Sequence, residues 1–146
     1  MSGSHDRYAL RRFVDAQDRV YDTVLAELRN GAKRSHWIWF VFPQLQGLGH
    51  SATAHHYGIA SLDEARAYLA HDVLGPRLRE CTQLVARIDG RSAEEIFGWP
   101  DDLKVRSSMT LFAHATDDNA DFRGVLDKFY GGEEDPATVE RISSAR

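Results

Sequence analysis

The stretch His36-Trp37-Ile38-Trp39-Phe40-Val41-Phe42 decides the fold class. Its aromatic and β-branched content favours a strand. Ser35 before it and Pro43 after it can instead bound a short buried helix. A strand must hand its backbone donors and acceptors to a neighbour, and no other segment of this chain is strongly strand-like. We therefore read the stretch as a short helix that Pro43 ends. Aromatic rings at such density usually belong to a core, and alternation within the run sends Trp37 and Trp39 to different surroundings.

Working outward, every flanking segment carries helical punctuation. Toward the N-terminus, Leu10, Phe13, Val14, Val20, Tyr21, Val24, Leu25 and Leu28 recur at a 3.6-residue period, with Gln17 the one polar intrusion. Asn30-Gly31 supplies a left-handed stop, so one long helix is expected from Tyr8 to Asn30. Toward the C-terminus, residues 44–50 read as a loop with Gly47 and Gly49, and Ser51 to Tyr57 as a short helix closed by Gly58. Ser61-Leu62-Asp63-Glu64 and Ser92-Ala93-Glu94-Glu95 are capping boxes, and Asp72 can cap the Leu74–Ile88 stripe that carries Cys81. Asp101 or Asp102 opens a helix reaching about Ala115, and Asp118 or Asn119 opens another that Gly131-Gly132 stops. Asp135-Pro136 begins the last. The expectation is all-α: a single multihelical domain of about eight helices over residues 1–146, with a core of about 8–140.

Composition agrees with that reading. The 146 residues suit one domain, and 42% apolar with 27% charged is ordinary for a packed chain. A net charge of −4 argues against a nucleic-acid partner. Residues 1–36 hold seven Lys/Arg against five Asp/Glu, while residues 89–135 hold five against twelve. A single cysteine rules out an internal disulfide and a cysteine-built zinc site. No stretch approaches a membrane span and Met1–Tyr8 has no apolar signal core, so a cytoplasmic address and no membrane partner are expected.

Three polar groupings exceed what a helical core requires. Lys33-Arg34-Ser35-His36 sets cationic groups at the start of the aromatic helix, where an anion can be held; the plain alternative is a solvated loop. Gly47-Leu48-Gly49-His50-Ser51 leads into His55-His56-Tyr57. Adjacent histidines point to different helix faces and no acidic residue lies between positions 28 and 62, so no metal site is expected. Lys104, Ser107 and Ser108 share one helix face, either as tight packing through small residues or as a pocket wall.

The same residues carry a resemblance. Arg12-Phe13-Val14-x-Ala16-Gln17, His36-Trp37-x-Trp39-Phe40-x-Phe42-Pro43-Gln44 and Ser107-Ser108-Met109-Thr110-Leu111-Phe112 resemble the bacterial family catalogued as domain of unknown function 1810. The resemblance spans about residues 8–140 and implies an all-helical fold with no established activity. The order of aromatic block, Glu-Ala helix and Lys-Ser helix is also similar to a helical family linked to ADP-ribose and glycosidic-bond chemistry. Two functions follow as expectations. The first is a pocket for a small anionic, nucleotide- or sugar-like ligand, extending to hydrolysis. Arg34, His36, Trp37, His50, Ser51, Tyr57, Lys104, Ser107 and Ser108 would bind, and His36, Glu64 and Lys104 are the catalytic candidates. No cofactor is expected. The second is a protein-interaction or structural module without catalysis. Convergence of positions 34–57 with 104–108 on one concavity favours the first.

Overall fold

Caps and left-handed glycines divide the chain into ten helices in the computed structural model, which describes residues 6–144. Residues 1–5 and 145–146 of the expected 1–146 domain lie outside the described residues. The helices are α1 (Arg11–Asp18), α2 (Tyr21–Arg29), α3 (Ile38–Val41), α4 (Ala52–His56) and α5 (Leu62–Ala70), followed by α6 (Leu74–Ala86), α7 (Ala93–Phe97), α8 (Asp101–Ala115), α9 (Ala120–Tyr130) and α10 (Pro136–Ser144). The expected all-α class holds, with no strand among the described residues and one isolated parallel bridge between Leu45 and Ile59. No described helix is long and apolar enough to cross a membrane.

The aromatic stretch is helical, as α3, with Trp37, Ile38, Val41 and Phe42 buried and Trp39 half-buried. Ser35 does not cap it: its hydroxyl donates to Glu27 instead, and Trp37 occupies the cap position with no side-chain cap. The long first helix is also corrected, because the chain breaks at Arg19–Val20, where Val20 takes φ −135° and ψ 3°. The apolar stripe stays in phase across the break, but α1 then packs on α3 while α2 packs on α6. Gln17, the polar intrusion, donates to the Phe40 carbonyl at 2.6 Å and the Tyr68 hydroxyl at 3.0 Å, so its burial is compensated.

At the centre lies α8, flanked by α3, α5, α7, α9 and α10. A helix whose middle is surrounded by others has little room for free charge. Its middle accordingly reads Ser107-Ser108-Met109-Thr110-Leu111-Phe112-Ala113, all buried. Ser107 and Thr110 turn their hydroxyls back to the Leu103 and Arg106 carbonyls. Cys81 on α6 is fully buried, and burial pushes its thiol up to about 12.

Capping follows the sequence at α4, α5, α7 and α10, but at α8 Pro100 takes the cap position with Asp101 and Asp102 inside the first turn, and at α9 Asn119 takes it without a side-chain cap. Ser92 and Glu95 form the reciprocal box, Ser51 and Ser61 accept from the amides of Ala54 and Glu64, and Asp135 accepts from Thr138. At α6 Asp72 does not cap: Val73 takes the cap position without a side-chain cap, and His71 Nδ1 accepts from the amides of Val73 at 3.1 Å and Leu74 at 3.3 Å. Just beyond, a Cβ at Gly75 would fall on the Leu69 carbonyl, so the α5–α6 corner closes only around glycine. Gly124 in α9 faces open space. Gly75→Ala should therefore destabilise the protein by about 1–3 kcal/mol, and Gly124→Ala should stabilise it by about 0.5–1 kcal/mol. Urea denaturation of both variants checks this, and a neutral Gly75→Ala would refute the close corner.

Candidate functional site

The segment between α2 and α3 is organised by a residue that sequence reasoning passed over. Glu27 sits on the buried face of α2, and its Oε1 accepts from the Arg34 amide at 2.7 Å, the Ser35 amide at 3.0 Å and the Trp37 indole at 2.8 Å. Its Oε2 accepts from the Ser35 hydroxyl at 2.5 Å. Burial alone would raise this carboxyl, but hydrogen bonds from Ser35, Arg34 and Trp37 outweigh it and hold it down to about 2. Trp37 thus enters the core with its one polar atom satisfied, while Arg34 and His36 stay exposed on the same loop.

From that loop Lys33 reaches Asp101, the first residue of α8, with Nζ 2.8 Å from Oδ2. Lys104 approaches the other oxygen of Asp101 at 3.2 Å. Each lysine also covers an indole: Lys33 lies 5.4 Å from the Trp37 ring and Lys104 5.1 Å from the Trp39 ring. The two expected groups therefore meet, but around a carboxylate rather than an open concavity. Ser107 faces elsewhere, 3.0 Å from Asp135 Oδ2 at the start of α10. Ser108 is wholly buried, and its hydroxyl has no partner among the described residues.

The other candidates separate from this cluster. Glu64 is buried, with Oε2 2.9 Å from Arg12 and Oε1 accepting from the Ala60 amide at 2.9 Å. Both oxygens are occupied, and Arg12 also donates to the carbonyls of His56 and Gly58. Ser51 is the cap of α4. Tyr57 is half-buried against the rings of Phe13 at 5.8 Å and Phe40 at 5.4 Å, beside a concavity of only about 10 Å³ that Trp39 also lines. His50 lies on a cleft of about 970 Å³ between the 45–50 loop, the start of α5, and α10. Its apolar walls are Leu45, Leu48, Leu62 and Ile142, and Arg66, Arg141, Asp63 and Glu140 supply charge. No group of three or more His, Cys, Asp or Glu is placed to share a metal ion among the described residues.

A family model described as "Protein of unknown function (DUF1810)" matches residues 7–142. The chain belongs to the DUF1810 family. This DUF1810 chain is also similar to the conserved hypothetical protein Rv1873 from Mycobacterium tuberculosis, known from a crystal structure. Identity is 63% and the TM-score 0.94, over 94% of this chain and 99% of that one. No curated protein matches. The matched span includes the loop that Glu27 holds, the α3 helix after it and the buried middle of α8.

The state of Glu27 sets a pH dependence. Its carboxyl is lowered from an ordinary 4.5, so the stability it contributes is complete above that value and is lost as pH falls toward about 2. Glu27→Gln should destabilise the protein by about 2–4 kcal/mol at pH 7, because indole and amide donors lose a charged acceptor. The difference from the wild type should narrow between pH 4.5 and 2. Denaturation followed by tryptophan fluorescence at several pH values measures both, and a pH-independent difference would contradict the assignment.

Proposed function

We propose that this domain binds a small anionic ligand with a ring-like body, nucleotide- or sugar-like, in the cleft between the 45–50 loop, α5 and α10. The volume of about 970 Å³ lies in the range of small-molecule sites. The observation that carries the reading is Arg141. Its guanidinium lies across Gly47, where a Cβ would come within 2.8 Å of Nη1. Gly47 has φ +94°, which glycine adopts freely. Among the described residues Arg141 makes one side-chain hydrogen bond, to the Gly47 carbonyl at 3.3 Å, so most of its planar donor fork remains for a carboxylate or phosphate.

Other features support the same ligand chemistry. Ser61 caps the Glu64 amide, and Leu62 and Asp63 in the first turn of α5 line the cleft. Leu45, Leu48 and Ile142 offer an apolar wall to a ring, while Asp63, Glu140 and His50 suit hydroxyl groups. The reading concerns binding: Glu64, engaged by Arg12 and Ala60, does not line the cleft. One observation favours the alternative of a protein-interaction module. Trp99 is 72% exposed, and Leu103, in the first turn of α8, is 47% exposed.

A thermal-shift screen with ADP, ADP-ribose and sugar phosphates, followed by calorimetry, separates the readings. At least one compound should raise Tm, and Arg141→Ala should weaken its binding by about tenfold or more. Loss of binding in Lys104→Ala with Arg141→Ala unaffected would move the ligand to the Trp39 surface. A screen without a shift would favour the Trp99–Leu103 surface.

A further inference from the structure

A second concavity of about 400 Å³ lies between the C-terminal ends of α2 and α6, and three arginines against one aspartate give it an excess of positive charge. Leu28, Leu84 and Ile88 line it, and Arg29, Arg87 and Arg91 stand exposed at its edge. Gly31 closes α2 at φ +69°, and the Arg91 side chain packs across it, since a Cβ there would lie 3.6 Å from Arg91 Cδ. A turn that only glycine fits easily therefore sets the bed on which one arginine lies.

The acids nearby are already engaged. Asp89, the one acidic residue lining the groove, is 2.7 Å from Lys128 Nζ, and that ammonium also donates to the Ala86 carbonyl at 2.7 Å. Glu95 feels Arg91, but its Oε1 is taken by the Ser92 amide at 2.8 Å. Among the described residues none of the three arginines has a carboxylate within ion-pair distance. A structural role at helix ends is the competing explanation, because cations favour helix C-termini. Two such ends contribute only about one negative charge between them, against three guanidinium groups. The surplus is positive.

We infer that this groove is an anion site distinct from the α5–α10 cleft, suited to a small ligand carrying two or three adjacent phosphate groups. A monoanion would leave most of the charge unmatched. Planar guanidinium forks match phosphate oxygens two at a time, and the apolar floor lowers the local dielectric. The concavity has the dimensions of a small molecule rather than of a nucleic-acid duplex.

Inorganic tripolyphosphate is the probe, titrated into the full-length protein at low salt by calorimetry and by amide chemical shifts. Binding should weaken as salt rises, with shifts at Gly31 and Ile88. Arg87→Ala and Arg91→Ala should each weaken it by about tenfold. Arg91→Lys should fail to restore it, because an ammonium lacks the fork. The exposed Arg11→Ala should bind like the wild type, and in the cleft variant Arg141→Ala the shifts at Gly31 and Ile88 should persist. Absence of binding at millimolar tripolyphosphate would overturn the inference. So would an equal loss in Arg11→Ala, or a loss confined to Arg141→Ala.

Discussion

A carboxylate placed in the wall of an apolar core must gather donors or lose its charge. Glu27 gathers four, from the amides of Arg34 and Ser35, the Ser35 hydroxyl and the Trp37 indole. The consequences spread from there. The loop between α2 and α3 is fixed, its Lys33 amide reaches the Ile96 carbonyl of α7 at 2.7 Å, and its Lys33 ammonium reaches Asp101 at the start of α8. Trp37, one of the largest wholly buried side chains, is delivered to the core beside Phe42, which in turn packs edge-on against Phe97. One ionised group thereby joins the N-terminal helices to the central helix around which the others pack.

Helices whose ends are written in local chemistry were readable directly. The serine caps at Ser51, Ser61 and Ser92 and the left-handed stop at Gly131 are contacts within a few residues. The stripe from Leu74 through Leu78 and Cys81 to Val85 is likewise a local period. Where tertiary contacts compete, local reasoning failed. Ser35 has the type and position of a cap, but Glu27 offers its hydroxyl a charged acceptor. The break at Val20 leaves no mark in the apolar period, because the stripe continues in phase while the two halves meet different partners. Glu27 itself left a faint signal, standing three residues beyond Val24 on the inward face.

The polar groups were less legible than the fold. Lys104, Ser107 and Ser108 share one face in sequence, yet a helix packed on every side divides that face among neighbours: Lys104 to Asp101 and Trp39, Ser107 to Asp135. Glu64 looked available for chemistry and is tied to an arginine 52 positions away. The cleft depends on Arg141 lying across Gly47, a contact 94 residues apart in sequence with no local pattern. Of the expected ligand residues, His50 is the one that lines it.

The account rests on Glu27 holding the Arg34–Trp37 segment as part of the core rather than as a surface loop. Native-state hydrogen exchange of the Trp37 indole N–H, together with the Arg34 and Ser35 amides, addresses that claim directly. All three should exchange only through global unfolding, with protection matching that of the buried amides of α8. Exchange of the indole and both amides at the rate of an exposed loop, while α8 stays protected, would contradict the account.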